Sequence, residues 1–393
     1  MKRLIIIGNG FDVAHKLPTR YCDFVTHYWG KFNSTKSKYD FIEFKDHISY
    51  NDRLEGCKNF HDLLEKLGAV PITAGTYRTR FGSTFKFTND FFFEVAKSHS
   101  EYEWVDIEMM YYKHVELIFK KSFPYNRDNK DTQEYFIKKL NREIDEIAKC
   151  FESYLIKEVK PLILESRLSL MESIFSNPMM TEQSLKEFDE EFSAKYFNKR
   201  YPSGSHHLYL NRKKFENTLL LNFNYTNTVD LYKDRNDITI NIHGELGSTT
   251  NTILLGFGNE GDKLYSDIEN LNSNEFLRFM KSSHYTKNSN YKKLFDFIEE
   301  GHFQAHIVGH SCGLSDKTLL NAIFENSNCL SVKPYYYRYE AVNEYGELDN
   351  YSDIVKNISR HFNDKKLMRD KIVNYELCSA IPQNKTKVGS TSN

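Results

Sequence analysis

A glycine loop near the start of the chain is the first place where the sequence could bind a ligand. Residues 3–7 (RLIII) form a continuous apolar run, typical of a strand in a parallel sheet, and Gly8, Asn9 and Gly10 follow directly. Because glycine lacks a side chain, backbone N–H groups in such a loop can approach a pyrophosphate. The third glycine of the G-x-G-x-x-G fingerprint is absent, since Val13 stands there. A tight strand-to-helix turn that needs glycine explains the pattern equally well.

Two later segments place polar side chains at the ends of predicted strands, which is where open α/β sheets bind ligands. The strand at 218–224 runs into the polar cluster Asn222, Asn224, Thr226 and Asn227. Each of these residues alone suits a turn or a helix cap, but the whole cluster favours a binding site. The strand at 238–243 ends in His243, and imidazole is a side chain well suited to proton transfer. Since the chain has 14 histidines, a structural role for His243 stays open.

A further candidate is IVGHSCGLSDKTLL, residues 307–320, in which a predicted buried strand ends in Gly309. Gly309 and Ser311 could contact a ribose or a phosphate, whereas Ser315 or Asp316 suits the N-cap of the next helix. The letters GHSCG match the G-x-S-x-G elbow of α/β-hydrolases. Because a long run of residues separates them from any plausible triad acid and histidine in the required order, we interpret this match as accidental.

The segment WVDIE offers two acids, Asp106 and Glu108, after Trp104. On a helix, residues two apart point in different directions, so a shared two-carboxylate site would need a turn here. The simpler interpretation is that both are early-turn acids, which the helix dipole favours. The sequence leaves the roles of all three residues open.

Composition narrows the class of protein. The chain has 393 residues and a net charge of −1, from 53 basic and 54 acidic residues, so no basic excess points to nucleic acid. Its six cysteines form no C-x-x-C pair and its acids form no cluster, which argues against a metal site. No secretory signal is present, and no apolar run approaches the roughly 20 residues that span a membrane. We therefore expect a cytoplasmic protein with no membrane or nucleic-acid partner.

The order of strand and helix signals predicts an α/β fold with a Rossmann-like (sirtuin-like) parallel sheet and a large helical insertion after the first βα unit. Strand signals return after the insertion, at 218–224, 238–243, 252–258, 305–310 and 329–339. The predicted units are a nucleotide-binding domain of residues 1–34 and 216–379, a mainly helical insertion of residues 35–215, and a disordered tail of residues 380–393. Within the insertion, 101–122 and 132–160 have helical patterns, while 70–92 suits a hairpin or a loop.

Taken in order, these motifs resemble the AbiH family of bacterial abortive-infection proteins. The resemblance rests on IIIGNGFDVAHKLPTRYCDF, WVDIE, NFNYTNTVDLY, IHG and GHSCGLSD, which are spread over most of the chain. The family pattern has a glycine where this chain has Lys16, which puts the geometry of that turn in doubt. The resemblance implies an effector that acts against phage infection.

A more distant resemblance is to the sirtuin fold and its bacterial NAD-hydrolysing relatives. The residues that match sirtuin motifs are, in chain order, Gly8, Gly10, Pro18, Asn222, Asn224, Thr226, His243, Gly244, Gly309 and Ser311. Thr226 stands where the sirtuin motif has an aspartate, which could alter how nicotinamide is handled. The zinc cysteines of deacylating sirtuins are missing, so the resemblance does not extend to protein deacylation.

Together the two resemblances imply an effector that cleaves NAD at the nicotinamide–ribose bond without a metal. Asn224 would hold the nicotinamide ribose and place a water, and His243 would orient or deprotonate a ribose hydroxyl or that water. The residues implied to bind NAD are Gly8, Asn9, Gly10, Phe11, Asp12, Pro18, Asn222, Thr226, Gly309 and Ser311.

The main alternative is a non-catalytic sensor that binds NAD or ADP-ribose through the same loop and signals through the helical insertion. A nuclease is disfavoured, because the chain has neither a clustered acidic metal site nor a basic excess. A pure scaffold would leave the polar strand ends unexplained. The expected partner is a small-molecule nucleotide, while a homo-oligomer, a phage-derived trigger and enzymatic turnover itself stay open.

Overall fold

The computed structural model describes residues 1–32, 40–45, 54, 56–103, 105–122, 130–194, 196 and 210–383. The strands in this part of the chain are β1 (Lys2–Ile7), β2 (Ile42–Phe44), β3 (Val70–Thr73), β4 (Thr76–Arg78), β5 (Thr84–Phe87), β6 (Thr218–Asn222), β7 (Ile238–Asn241), β8 (Phe303–Val308) and β9 (Cys329–Tyr335). The α-helices are α1 (Asn9–Ala14), α2 (Tyr21–Gly30), α3 (Phe60–Leu67), α4 (Asp90–Tyr102), α5 (Ile107–Phe119), α6 (Lys130–Tyr154), α7 (Glu172–Phe175), α8 (Glu182–Glu190), α9 (Lys263–Glu269), α10 (Asn274–Leu277), α11 (Lys281–His284), α12 (Asn290–Glu299), α13 (Lys317–Phe324), α14 (Tyr351–Ser359) and α15 (Lys365–Lys371). A π turn at Leu155–Val159 follows α6, and 3₁₀ turns lie at Lys160–Leu162, Leu164–Ser166, Ser169–Met171, Thr228–Tyr232, Leu314–Asp316 and Tyr375–Leu377.

The central element is a parallel sheet with the strand order β7-β6-β1-β8-β9. β1, β6 and β8 are buried along their whole length, as expected for strands that have neighbours on both sides. From β1 the chain builds one side of the sheet through β6 and β7, and then the other side through β8 and β9. The strand order therefore reverses at β1, and open α/β sheets bind ligands at the carboxyl ends of the strands beside such a reversal.

Alternate side chains of β1 enter two separate cores. Leu4 and Ile6 pack in a core that includes α12 and α13, whereas Ile5 and Ile7 pack in a core that includes α1 and α7. Helices thus cover both faces of the sheet, which is why the central strands lack the polar alternation of a half-exposed strand. The prediction of an α/β protein with a parallel sheet is confirmed.

The long segment between α1 and β6, which we call the inserted segment, contains α2 to α8 and a second sheet. That sheet is antiparallel, with the order β2-β5-β4-β3. The hairpin that was one of two predictions for 70–92 is present as β3 and β4. The core of this region is rich in aromatic pairs, such as Phe41 and Phe92 with ring centroids 4.1 Å apart. Phe257 and Met280, which follow β7 in the chain, belong to the same core. The segment therefore packs directly against the C-terminal half of the chain.

The prediction of a strand at 252–258 is wrong. Phe257 forms only an isolated bridge to Met280, and its N–H donates to Phe279 O over 3.0 Å. Lys281 N–H in turn donates to Phe257 O over 2.9 Å. The apolar run does indicate burial, but the burial is against the helices of the inserted segment rather than in the sheet.

Two other boundaries also differ from the sequence patterns. The helical pattern at 101–122 is interrupted at Glu103, whose left-handed φ of 53° ends α4 before α5 begins. At the C-terminus, Ala380 bridges to Tyr336 and Ile381 is buried, while residues 384–393 of the predicted tail lie outside the described residues.

The loop after β1 crosses the loop after β8 at a point where both chains carry glycine. A Cβ on Gly8 would lie 2.5 Å from His310 Cα, and a Cβ on Gly10 would lie 2.8 Å from Gly309 O. Gly309 has a left-handed φ of +70°, and a Cβ there would overlap the backbone nitrogen of Phe11. The glycines therefore allow the two loops to touch, and Gly10 N–H donates to Gly309 O over 2.8 Å.

We predict that Gly309→Ala lowers the free energy of unfolding by about 2 kcal/mol or more, because it combines a left-handed φ with a steric overlap. Gly30→Ala is the matched control, since Gly30 ends α2 with no neighbour within 4 Å of an added Cβ. That control should be neutral or slightly stabilising. Chemical denaturation measures both, and equal effects of the two substitutions would contradict the crossing described above.

Candidate functional site

A cavity of about 450 Å³ opens where β1, β6 and β8 end, between the sheet and the inserted segment. Its volume lies in the range of small-molecule sites. The residues that line it come from the strand ends and from α2, α5 and α6; they are Gly8, Asn9, Gly10, Asp12, Val13, Thr19, Arg20, Tyr21, Cys22, Glu103, Val105, Asp106, Glu108, Phe151, Leu155, Phe223, Asn224, Tyr225, Thr226, His243, Gly309, His310, Ser311, Ser315, Asp316 and Tyr337.

The backbone amides of the glycine loop are largely engaged within the protein. Gly8 N–H donates to Val308 O over 3.1 Å, and Phe11 N–H donates to Gly8 O over 2.9 Å. With the bond from Gly10 to Gly309, three amides of this loop have acceptors within the protein. This distribution disfavours the simple expectation that these N–H groups cradle a pyrophosphate, because each would first have to give up a bond.

The rest of this loop is fixed by side chains and by one strained turn. Asn9 Nδ2 donates to Thr19 O over 3.1 Å, and Thr19 Oγ1 donates to Asn9 Oδ1 over 2.8 Å. Lys16 has a left-handed φ of 61°, a conformation in which glycine is the least strained residue. The turn therefore has a conformation that a glycine would adopt without strain, in spite of the lysine.

Asp12 is a buried carboxyl group on the cavity wall. Its Oδ2 accepts a hydrogen bond of 2.6 Å from Thr226 Oγ1, while Oδ1 has no partner among the described residues. Burial raises the pKa of Asp12 to about 6, although neighbouring hydrogen bonds oppose the shift. Asn224 lies beside it and donates from Nδ2 to Gly8 O over 3.1 Å. A carboxyl group of this kind can take up or release a proton near neutral pH.

Behind the cavity lies a buried ammonium group, that of Lys281, whose side chain has no exposed surface. Lys281 Nζ lies 2.8 Å from Asp316 Oδ1 and 3.1 Å from Glu108 Oε2. Glu108 Oε1 also accepts a hydrogen bond of 3.1 Å from Gly256 N–H. His243 Nε2 lies 3.0 Å from Asp316 Oδ1. One ammonium group thus serves two carboxylates, and the imidazole of His243 approaches one of them.

The pKa values of the two acids beside Lys281 are shifted in opposite directions. Burial alone would raise the pKa of Asp316, but the Lys281 ammonium and His243 hold it well below its ordinary value. Burial raises the pKa of Glu108 in spite of Lys281. Asp316 is therefore the ionised partner of His243, and Glu108 accepts a proton more readily than a solvated glutamate.

A second histidine, His310, faces the same carboxylate. Burial lowers the pKa of His310 to about 4, so the ring is neutral near neutral pH. Its Nδ1 accepts a hydrogen bond of 3.0 Å from Cys312 N–H, which leaves the proton on Nε2, 3.7 Å from Asp316 Oδ2. Phe223 packs between the two imidazoles, with its ring centroid 4.9 Å from that of His243 and 4.3 Å from that of His310.

Asp106 and Glu108 both line the cavity, and the condition named for a shared site is met, because Asp106 lies just outside the helix. Asp106 is the N-cap of α5, and its Oδ1 accepts a hydrogen bond of 2.9 Å from Met109 N–H. Because an N-cap residue is not itself helical, its side chain can share a direction with a residue two positions later. The interpretation of early-turn acids is confirmed for Glu108, which lies in the first turn of α5, whereas Asp106 is the residue that caps the helix. Trp104 lies outside the described residues.

Most of the predicted site residues come together at the cavity, namely Gly8, Asn9, Gly10, Asp12, Asn224, Thr226, His243, Gly309 and Ser311. Three others do not line it. Phe11 packs in the core against Phe175, and Pro18 O accepts a hydrogen bond of 2.7 Å from Tyr154 Oη. Asn222 Nδ2 donates to Thr226 O over 2.8 Å. Asn222 is therefore a turn residue that shapes the polar loop.

The sequence patterns missed several residues of this site. Lys281 lies in a segment without any motif, and only its burial between two acids reveals it. Asp316 occupies the expected N-cap position of α13, but its carboxylate makes no capping hydrogen bond and binds Lys281 instead. His310 directly follows Gly309, so the GHSCG motif was the one available signal for it.

Two further properties concern metals and membranes. In the described ranges, no group of three or more His, Cys, Asp or Glu side chains has an arrangement that could hold a metal ion. In those same ranges, every helix is too short or too polar to cross a bilayer.

The chain matches the family described as "Bacteriophage abortive infection AbiH" over residues 4–337, and therefore belongs to it. The match includes the parallel sheet, apart from the first two residues of β1, and the cavity at its edge. No curated protein and no solved structure shows significant similarity to the chain.

We predict that Lys281→Met lowers the free energy of unfolding by about 3–5 kcal/mol, because it leaves two buried carboxylates without their cation. Lys356→Met is the control, since Lys356 forms an exposed pair with Asp353, and its loss should leave stability nearly unchanged. Adding Glu108→Gln to Lys281→Met should recover part of the loss. Urea denaturation gives all three values, and a Lys281→Met protein as stable as the control would refute the buried-cation description.

Because the pKa of Asp12 is shifted, we predict that the free energy of unfolding depends on pH. Because the folded pKa of Asp12, about 6, lies above the unfolded value, its contribution is present below pH 3.8 and is lost as the pH rises through 6. Relative to wild type, Asp12→Asn should therefore gain about 3 kcal/mol between pH 2 and pH 8. Asp364→Asn should show a change of the opposite sign below about pH 4, since backbone hydrogen bonds lower the pKa of that exposed helix cap from its ordinary 3.8. Denaturation series over this pH range test both signs.

Proposed function

We propose that this AbiH-family protein is an abortive-infection effector that cleaves NAD at the bond between nicotinamide and ribose. One observation carries the proposal: Asn224, His243 and Asp12 converge on a single cavity at the point where the strand order reverses. Counted along the chain, the strands of the parallel sheet lie in the order 3-2-1-4-5, which matches the first five strands of a Rossmann-like dinucleotide-binding sheet.

The charge of the cavity suits the transition state of this reaction. Loss of nicotinamide leaves an oxocarbenium-like, positively charged ribose, which negative groups fixed in advance stabilise. Asp12 supplies such a group beside Asn224. A mechanism of this type needs positioning and electrostatic stabilisation more than a strong nucleophile.

His243 is the best-placed residue for moving a proton. Its Nε2 faces Asp316, so the neutral tautomer with the proton on Nε2 leaves Nδ1 to act as a base. Asp316 orients the ring, in the base-and-orienter arrangement common to acid–base sites. Asn224 has one amide hydrogen engaged with Gly8 O, which leaves its other hydrogen and Oδ1 for a ribose hydroxyl or a water.

The proposed step balances as a hydrolysis. Water attacks C1′ of the nicotinamide ribose, and the electron pair of the C1′–N bond passes to the ring nitrogen, which becomes neutral. The proton of the water passes to His243. The products are nicotinamide and ADP-ribose. Since three amides of the glycine loop are engaged, the positive group that we assign to the pyrophosphate is Arg20 at the cavity wall, which also pairs with Asp23.

Binding without turnover is the second candidate. It is favoured by the fact that both proposed catalytic side chains already contact protein groups, Asn224 with Gly8 O and His243 with Asp316. A sensor would need these residues for shape and affinity alone.

The test is the NAD content of cells, measured by mass spectrometry with and without phage, for wild type, His243→Ala and Asn224→Ala. We expect NAD to fall only in wild type, with nicotinamide and ADP-ribose appearing. His61→Ala is the control, because His61 is an exposed residue of α3 and should behave as wild type. Steady NAD during effective protection from phage would rule out the cleavage proposal, and binding of ADP-ribose by the purified protein would then favour the sensor.

A further inference from the structure

We infer that the inner part of the cavity is a subsite for a positively charged aromatic ring, so that it selects oxidised over reduced nicotinamide. The identity of the ring as nicotinamide rests on the proposed function, whereas the preference for a cation rests on the cavity alone. The carboxyl groups that line the cavity are Asp12, Glu103, Asp106, Glu108 and Asp316. We call Asp12, Asp106, Glu108 and Asp316 the acidic wall.

The positive charges near the acidic wall do not balance it. Lys281 lies behind the wall and is shared between Glu108 and Asp316. Arg20, the only lysine or arginine among the residues described as lining the cavity, pairs with Asp23 over 2.8 Å. In the described part of the chain, Asp12 and Asp106 therefore have no ion-pair partner, and the site has an excess of negative charge.

An unsatisfied atom points to a ligand at this position. Asp12 is only 1% exposed, lines the cavity, and has an Oδ1 without a hydrogen-bond partner among the described residues. A buried carboxylate oxygen without a partner is costly, and a cation or a hydrogen-bond donor would remove that cost. Burial raises the pKa of Asp12 to about 6 and also raises that of Asp106, as expected for acids that lack a cation.

Aromatic side chains also line the cavity, and they decide the kind of cation. Tyr21, Phe151, Phe223 and Tyr225 line the same space. Faces of such rings attract a cation and also pack against a flat ligand. An inorganic cation would gain little from these faces, and the described residues include no metal-binding group. A planar organic cation such as a pyridinium ring can pack against the aromatic side chains and also neutralise the carboxylates. A neutral dihydropyridine ring can only pack against the aromatic side chains.

The test compares two small ligands that the protein cannot hydrolyse: 1-methylnicotinamide, which is a pyridinium cation, and nicotinamide, which is neutral. Titration calorimetry at pH 7.5 should show the cation binding about tenfold more tightly. Asp12→Asn and Asp106→Asn should each reduce that ratio by about fivefold or more. Glu116→Gln is the matched control, since Glu116 is on α5 but outside the cavity, and should leave the ratio unchanged.

The outcomes separate this inference from the cleavage proposal. Equal binding of the two ligands, no binding of the cation, or a ratio that both aspartate variants leave unchanged would overturn the cation subsite. A clear preference for the cation in a protein that never cleaves NAD would support the subsite and reject cleavage. Circular dichroism of each variant shows that a changed ratio does not come from a misfolded protein.

Discussion

The buried ammonium group of Lys281 is the interaction on which the site depends, because it joins parts of the chain that are far apart in sequence. Glu108 comes from the inserted segment and Asp316 follows the fourth sheet strand in chain order, and both contact the same nitrogen. A buried cation with two carboxylates is stable only when all three are present, since loss of any one leaves an uncompensated charge. The inserted segment and the sheet are therefore held in one relative position by charge as well as by their shared apolar core. His243, which depends on Asp316, takes its orientation from the same interaction.

The loop crossing at Gly10 and Gly309 provides a second constraint, which acts on shape instead of charge. Both glycines serve the contact between two loops, and the amide of Gly10 is bonded to the carbonyl of Gly309. A glycine-rich loop after a first strand is thus compatible with two different causes, ligand approach and chain approach. Here the second cause accounts for the glycines directly. In the proposed function, the side chains that line the cavity therefore bind the ligand more than the backbone amides of the loop do.

The sequence was sufficient for features that depend on local pattern. The continuous apolar runs of β1, β6 and β8 predict a parallel sheet, and the polar residues at strand ends predict that Asn224, Thr226 and His243 meet at one edge. Features that depend on long-range packing could not be predicted from the sequence. Lys281 has no motif because its significance comes entirely from two acids that lie 173 and 35 residues away. The strand predicted at 252–258 is absent for the same reason. An apolar run indicates that a segment is buried, but it does not indicate which elements the segment packs against.

The acidic wall also connects the stability of the protein to its ligand. Carboxyl groups held without a cation destabilise the folded chain, and a protein retains such groups only where other interactions hold them in place. In this structure those interactions are the Lys281 cluster and the aromatic residues around the cavity. A ligand that neutralises Asp12 and Asp106 would stabilise the folded state by its own binding free energy. Local negative charge at the strand ends is therefore better explained as a property kept for a ligand than as a contribution to the fold.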